Sequence, residues 1–123
     1  MKGTSTMYAA VSTDGQMTFK DLQDECIKGQ WIPLCVLKNK KTGEIMLPIF
    51  NLKDICYRFI FRNIPKDWQK GCVELTAEDM EIIKLKKWNL CLLDFPRRFD
   101  DHPEYEMAFE IHEFAEQPDF KVS

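Results

Sequence analysis

The sequence has little of what most metal and nucleotide sites require. Its 123 residues include two histidines and five glycines. Cys-x-x-Cys, His-Glu-x-x-His and Gly-x-Gly patterns are all missing, which excludes the usual zinc-binding and phosphate-binding motifs. The sequence therefore predicts no cofactor and no bound metal.

Long apolar runs are also missing. No stretch approaches the ~20 apolar residues of a membrane-spanning helix, and the first residues have no apolar core of the kind that a signal peptide needs. The formal net charge is −3, which argues against a general nucleic-acid binder, since such proteins present a basic surface. We therefore expect a cytoplasmic protein that binds neither a membrane nor nucleic acid.

The cysteines do not suggest a disulfide framework. Their number is odd, they are widely spaced, and most lie within apolar runs, where a free thiol behaves as a small hydrophobic group. We expect all of them to be reduced and at or near the core, as is usual in a cytoplasm. They are Cys26, Cys35, Cys56, Cys72 and Cys91.

The length predicts one domain over residues 1–123. Charge is uneven along it, because residues 94–123 contain nine acidic and three basic residues, a net −6, which leaves +3 for the remainder. We therefore distinguish an acidic C-terminal segment from about residue 94. A solvated surface is its simplest explanation, and a basic partner is the alternative.

The first half of the chain predicts a strand, a helix and a β-hairpin. Apolar patterning and turn signals place them at about 7–12, 18–28 and 31–50. The hairpin has a basic tip at Lys38, Lys40 and Lys41. Because Pro48 has no N–H, we expect it at a sheet edge or at a strand end, where ladder pairing stops.

The second half predicts two further strands around a helix, and then a final strand. A short strand begins near Cys72, Thr76 with Asp79 forms a capping signal for a helix that runs to about Lys87, and a strand follows over 88–95. In residues 104–112, Tyr105, Met107, Phe109 and Ile111 alternate with polar residues and with Ala108, which predicts a strand with one buried face. A helix is the alternative for this segment.

The predicted fold class is α+β. We expect a mixed or antiparallel sheet of about five to six strands, with two to three helices packed on it.

The segment 52–64 predicts a helix, capped by Asn51 and ended by Pro65, that is apolar on two sides. The stripe expected to face the core consists of Leu52, Ile55, Cys56, Phe59 and Ile60. A second stripe either packs under another element or contacts a partner, and these two interpretations are nearly balanced. Aromatic residues and arginine are enriched at interfaces, which favours partner binding at Tyr57, Arg58, Phe61, Arg62, Ile64 and Trp68.

Residues 31–96 resemble the N-terminal domain of SseB-type (enhanced serine sensitivity) proteins. The resemblance depends on Pro33-Leu34, Gly43 and the run Leu47-Pro48-Ile49-Phe50, followed by a helix, a strand, a helix and a strand that ends at Pro96. Asn51 and the run 94–97 depart from the pattern of that family. The resemblance implies an α+β fold and carries no catalytic residues.

Three functions are compatible with these observations. The preferred one is a small bacterial, non-enzymatic protein-interaction module that acts as a homodimer. The second is a small-molecule-binding or sensing domain with a pocket between sheet and helix. The third is an enzyme without a recognisable motif; for it, Asp100, Asp101 and His102 offer an acid–base or metal-binding group, although a polar loop explains them equally well.

Overall fold

A computed structural model of the protein describes residues 6–12, 31–68, 70–93, 103–114 and 120–122. Within these residues the chain forms two helices and seven strands, joined in one mixed sheet. The predicted α+β class is thereby confirmed, and the helix predicted at 18–28 lies outside the described residues. In chain order the elements are β1 (Met7–Ser12), β2 (Trp31–Asn39), β3 (Ile45–Phe50), α1 (Lys53–Asn63), β4 (Lys70–Leu75), α2 (Ala77–Leu85), β5 (Asn89–Leu93), β6 (Tyr105–Glu113) and β7 (Phe120–Val122).

The predicted hairpin is formed by β2 and β3. The Oδ1 atom of Asn39 accepts hydrogen bonds from the backbone N–H groups of Lys41 at 2.9 Å and Thr42 at 3.1 Å. Gly43 has φ 75°, a conformation that glycine adopts without the steric cost that other residues bear. These local bonds reverse the chain and leave Lys40 and Lys41 exposed at the tip.

The strand β2 connects two parts of the sheet. One of its edges pairs with β6 over the full length of both strands. Its other edge pairs with β3 near the turn and with β1 through Leu34 and Val11. From β1 the sheet continues through β4 to β7.

The position of Pro48 differs from the expectation in one respect. The residue lies inside β3, which is not an edge strand, because β3 also pairs in parallel with β5 and Pro48 is opposite Cys91. The pairing of β3 with β2 is at Ile45 and Met46, so that ladder does stop before the proline. A parallel pair requires a long crossover, and here α1, β4 and α2 provide it.

The two helices cover opposite faces of the sheet. Leu34 and Cys35 are neighbours in β2 but belong to different core clusters, as expected when successive side chains of a strand point to opposite faces. The cluster of Leu34 includes Ile83 of α2, and the cluster of Cys35 includes Phe59 of α1. The middle of the sheet is therefore buried on both sides.

The helix ends show where local sequence signals are sufficient. Leu52 occupies the N-cap position of α1 without a side-chain hydrogen bond, so the predicted cap by Asn51 was wrong. The end before Pro65 is confirmed. At α2, Thr76 and Asp79 form the predicted capping box, with both reciprocal bonds at 3.1 Å.

The segment predicted as a strand over 104–112 is confirmed as β6, but the assignment of its faces was partly wrong. Met107 and Phe109 pack against the α1 side of the core. Ile111, expected on the same buried face, is 58% exposed. The opposite face instead buries His112 completely, because α2 covers that side of the sheet.

Candidate functional site

The outer face of α1 contains most of the residues predicted to bind a partner. We define this face as Asp54, Tyr57, Arg58, Phe61 and Arg62. The ring of Phe61 is 62% exposed, and it stacks on the ring of Tyr57 with centroids 6.4 Å apart and planes at 24°. The face therefore presents an aromatic pair in which the ring of Phe61 is largely exposed to solvent.

The helix does not need this face in order to pack on the sheet. Cys56, Phe59 and Ile60 point inward and are completely buried, and Phe59 meets Phe50 of β3 with ring centroids 5.1 Å apart. Tyr57 is half-buried at the margin of the same cluster. Phe61 is thus available for contact without loss of the packing that positions α1.

Two of the predicted partner-binding residues belong to the body of the domain. Ile64 is 4% exposed and lies in the core beside α1, so we exclude it from the outer face. Trp68 is half-buried, and its ring lies 5.8 Å from that of Phe109 on β6. Their burial fixes the end of α1 against the sheet.

Charged groups surround the exposed aromatic ring. Arg58, Arg62 and Asp54 are all exposed on α1. Below them, the Nζ atom of the buried Lys70 lies 5.9 Å from the centroid of Phe61 and donates to the carbonyl oxygens of Pro65 at 2.8 Å and Lys66 at 2.9 Å. Lys70 thereby holds the turn after α1 and places a cation near the ring.

The described cysteines offer no reactive nucleophile in the core. Cys35, Cys56 and Cys72 are buried together on the α1 side of the sheet, and these three and Cys91 are free. Burial raises the pKa of Cys35 to about 12. Burial, and next the hydrogen bond with Cys72, raise the pKa of Cys56 well above its ordinary value. Thiols in this state are protonated at neutral pH and inert.

A cluster of ionisable residues that the sequence did not reveal lies on the opposite face. The Nε2 atom of His112 is 3.3 Å from Oδ1 of Asp79. The other carboxylate oxygen of Asp79 accepts from the backbone N–H of Thr76 at 3.1 Å and from its hydroxyl at 2.9 Å. The carboxylate of Asp79 therefore caps α2 and also fixes the imidazole of His112 on β6.

Lys86, at the other end of α2, completes this cluster. Its Nζ atom is 3.5 Å from Nδ1 of His112 and donates to the carbonyl oxygen of Ile111 at 3.3 Å. It also lies 4.8 Å from the ring centroid of Trp88. His112 is thus held between groups from the two ends of one helix, and its ring meets Phe114 edge to face at 4.5 Å.

The geometry of this cluster suits a structural role. His112 is 0% exposed and Asp79 1% exposed, so neither has a face open to a substrate. Within the described residues, every buried side-chain nitrogen and oxygen has a hydrogen-bond partner. Burial lowers the pKa of His112, and the bond to Asp79 opposes that effect. The imidazole is therefore neutral at neutral pH and engaged at both nitrogens.

The sequence missed this cluster because its partners are far apart in the chain. Asp79 was predicted as a helix cap, and His112 was assigned to the solvent side of its strand. The motif weighed for metal or acid–base chemistry, Asp100 to His102, lies outside the described residues. Among the described residues, no group of three or more metal-binding side chains is placed to hold an ion.

Comparisons with known proteins provide no further assignment. No protein-family model, no curated protein and no solved structure matches the chain. The resemblance to SseB-type domains stays a prediction. In the part of the chain that the structure describes, no helix is long and apolar enough to cross a membrane.

Proposed function

We propose that this domain is a non-enzymatic protein-interaction module that forms a homodimer through the outer face of α1. The observation that carries the proposal is the 62% exposed ring of Phe61, stacked on Tyr57 and flanked by Arg58 and Arg62. Aromatic residues and arginine are the residue types enriched at the centres of protein interfaces. The face thus has the composition of a contact surface.

Energetics support an occupied face. Full burial of a phenylalanine side chain stabilises by about 1.5–3 kcal/mol relative to exposure. The fold gains little of this from Phe61, since α1 is already anchored by Phe59 and Ile60. Association with a partner would take this ring out of water.

Charge placement favours a second copy as the partner. Asp54 and Arg62 lie four residues before and four residues after Arg58 on the exposed side of α1. In an antiparallel pair of α1 helices with a two-fold axis near Arg58, Asp54 of each copy faces Arg62 of the other. The same arrangement brings each Phe61 close to the partner's helix. Two-fold dimers are the commonest homo-oligomers.

The buried cluster supports the non-enzymatic part of the proposal. A general base must come within hydrogen-bond reach of its substrate, and His112 has no exposed surface. Burial raises the pKa of the Cys35 and Cys56 thiols, so these two are likewise held in the protonated form. Among the described residues, His112, Cys35 and Cys56 are thus closed to ligands.

The first test replaces Phe61 by glutamate and measures molar mass by light scattering over a range of protein concentrations. Leu85→Glu on α2 is the matched control, because Leu85 is also an exposed apolar residue of a helix, at 83%. We expect the wild type and Leu85→Glu to be dimers, and Phe61→Glu to be a folded monomer by circular dichroism. A monomeric wild type at high concentration, or a dimeric Phe61→Glu variant, rejects the proposal.

A charge exchange tests the antiparallel arrangement. Arg62→Asp places like charges at both ends of the contact and is expected to weaken the dimer. Adding Asp54→Arg to the same chain restores the opposite charges in reversed order and is expected to recover association. If the double variant is weaker than Arg62→Asp alone, the two residues do not face each other across the two-fold axis.

A further inference from the structure

His112 connects both ends of α2 to one strand. Its Nε2 atom meets Asp79 in the first turn of the helix at 3.3 Å, and its Nδ1 atom meets Lys86 at the C-cap at 3.5 Å. These are the two ring nitrogens of a single imidazole, so the protonation of that ring governs both contacts.

The chemistry of the neighbours determines which nitrogen carries the proton. An ionised carboxylate can only accept hydrogen bonds and an ammonium group can only donate them. Nε2 must therefore donate to Asp79, and Nδ1 must accept from Lys86. The neutral imidazole with its hydrogen on Nε2 is the form that makes both contacts at once.

We propose that His112 is a proton-operated latch that holds the C-terminal end of α2 when neutral and releases it when protonated. A proton from solvent binds to the lone pair of Nδ1, which then becomes a donor and faces the donors of Lys86. The contact between Nδ1 and Lys86 is lost, and as the ammonium group moves away from the imidazolium it also leaves the carbonyl oxygen of Ile111. No covalent bond other than the new N–H is made or broken. The contact with Asp79 is retained, because Nε2 keeps its hydrogen and the imidazolium attracts the carboxylate more strongly.

The charges around His112 favour release at that end. The ring faces the anion Asp79 of α2 and the cation Lys86 at the end of that helix. On β6, the charge of Glu113 acts on both His112 and Lys86, and that of Glu110 acts on Lys86. An imidazolium is neutralised by Asp79 and repels Lys86. Lys86 is free to respond, because its side chain is at the protein surface, whereas Asp79 is buried and fixed by Thr76.

The direction of the pH effect follows from burial. Burial lowers the pKa of His112 below its ordinary value of 6.5, Lys86 adds to the lowering, and Asp79 opposes it. The latch is therefore closed at neutral pH and opens in mild acid, as the pH falls through the lowered pKa.

The segment released by the latch is the turn between α2 and β5. Lys87, next to Lys86, has φ 65°, an uncommon conformation for a residue with a side chain, which surrounding contacts must maintain. Trp88 follows, with its ring 4.8 Å from the Nζ atom of Lys86. Loss of the Lys86 anchor loosens this turn while the capped end of α2 stays in place.

Nuclear magnetic resonance tests the latch in the intact chain. Imidazole ¹⁵N shifts are expected to show the Nε2–H form at neutral pH. Amide-exchange protection factors, corrected for the intrinsic effect of pH, are then measured across the titration of His112. The amides of Lys86 and Lys87 should lose at least tenfold in protection, while those of Asp79 and Met80 at the capped end should change less than twofold.

Two variants make the outcome decisive. Lys86→Met removes the donor, and His112→Gln keeps a polar side chain that does not titrate. Each is expected to abolish the pH dependence of the turn, and Lys86→Met remains informative if His112→Gln does not fold. An Nδ1–H tautomer in the wild type, unchanged protection at the turn, or equal loss at both ends of α2 overturns the proposal. This test does not depend on the state of association.

Discussion

The most direct test of the packing of α1 compares two phenylalanines that are two residues apart in the same helix. Phe59 is 0% exposed and packs against Phe50, whereas Phe61 is 62% exposed. Replacing each by alanine makes the same chemical change with the same effect on helix propensity. The difference between the two variants therefore measures burial alone.

The magnitudes are well separated. Phe→Ala at a fully buried site costs about 3–5 kcal/mol, because transfer free energy is lost and a cavity remains. Loss of the aromatic contact with Phe50 accounts for about 0.5–1.5 kcal/mol of that cost. The same change at an exposed site alters the free energy of unfolding by about 0.5 kcal/mol or less.

Urea denaturation monitored by circular dichroism is a suitable assay. At an m-value of about 2 kcal/mol/M, a loss of 4 kcal/mol lowers the midpoint by about 2 M, and a loss of 0.5 kcal/mol lowers it by about 0.25 M. Both variants are measured at a protein concentration where light scattering finds monomers, because dimer formation would add to the apparent stability. Equal midpoints for Phe59→Ala and Phe61→Ala would refute the orientation of α1.

Three other predictions concern the cap of α2, the pH dependence of stability and the cysteines. Thr76→Ala removes the two hydrogen bonds of the Thr76 hydroxyl, one accepted from the backbone N–H of Asp79 and one donated to its carboxylate, and keeps the bond from the backbone N–H of residue 76. The change is expected to cost about 0.5–2 kcal/mol in the free energy of unfolding, measured by urea denaturation; no loss would contradict the observed cap. The pKa of His112 is lower in the folded state than in the unfolded state. The contribution of His112 to stability is therefore complete above pH 6.5 and is lost as the pH falls through the lowered pKa. Thermal melts of the wild type should show this loss, and those of His112→Gln should lack it. Alkylation at neutral pH should modify the half-exposed Cys91 in the folded protein and Cys35 only after unfolding, as measured by peptide mass mapping. Comparable rates at the two positions would be inconsistent with the buried core.

Local signals in the sequence were sufficient where the structure depends on local contacts. The capping box of Thr76 and Asp79 involves two residues three positions apart, and the hairpin turn at Gly43 involves a few consecutive residues. Both were predicted correctly. The strand β6 was also recognised, because alternation of side chains is a local property of an extended chain.

The faces of β6 could not be assigned from its own residues. Alternation shows that two faces differ, but burial of each face depends on which helix covers it. Here α1 covers Met107 and Phe109 while α2 covers His112. A histidine among glutamates indicates solvent by composition, and its partner Asp79 lies 33 residues away in the chain.

For the two apolar stripes of the helix predicted over 52–64, the sequence likewise left open which residues are buried. The structure shows the burial of each residue. Ile64 is in the core, Tyr57 lies at its margin, and Phe61 faces solvent. A helical wheel fixes the angles between these residues, but the rotation of the helix over the sheet sets which of them are buried.

Coverage of the sheet on both faces also bears on where a partner can bind. With α1 and α2 on opposite sides, contact through the middle of the sheet must use the outer surface of a helix. The most exposed large apolar residue described on α2, Leu85, lies among the exposed lysines Lys84, Lys86 and Lys87. A two-fold contact would bring those cations against their own copies, which is destabilising. On α1, by contrast, Phe61 lies on a face that contains both an anion and cations. About an axis near Arg58 the two Arg58 side chains meet each other, but two Asp54–Arg62 pairs of opposite charge flank them. The same difference explains why Leu85→Glu is expected to leave the dimer intact although Leu85 is more exposed than Phe61.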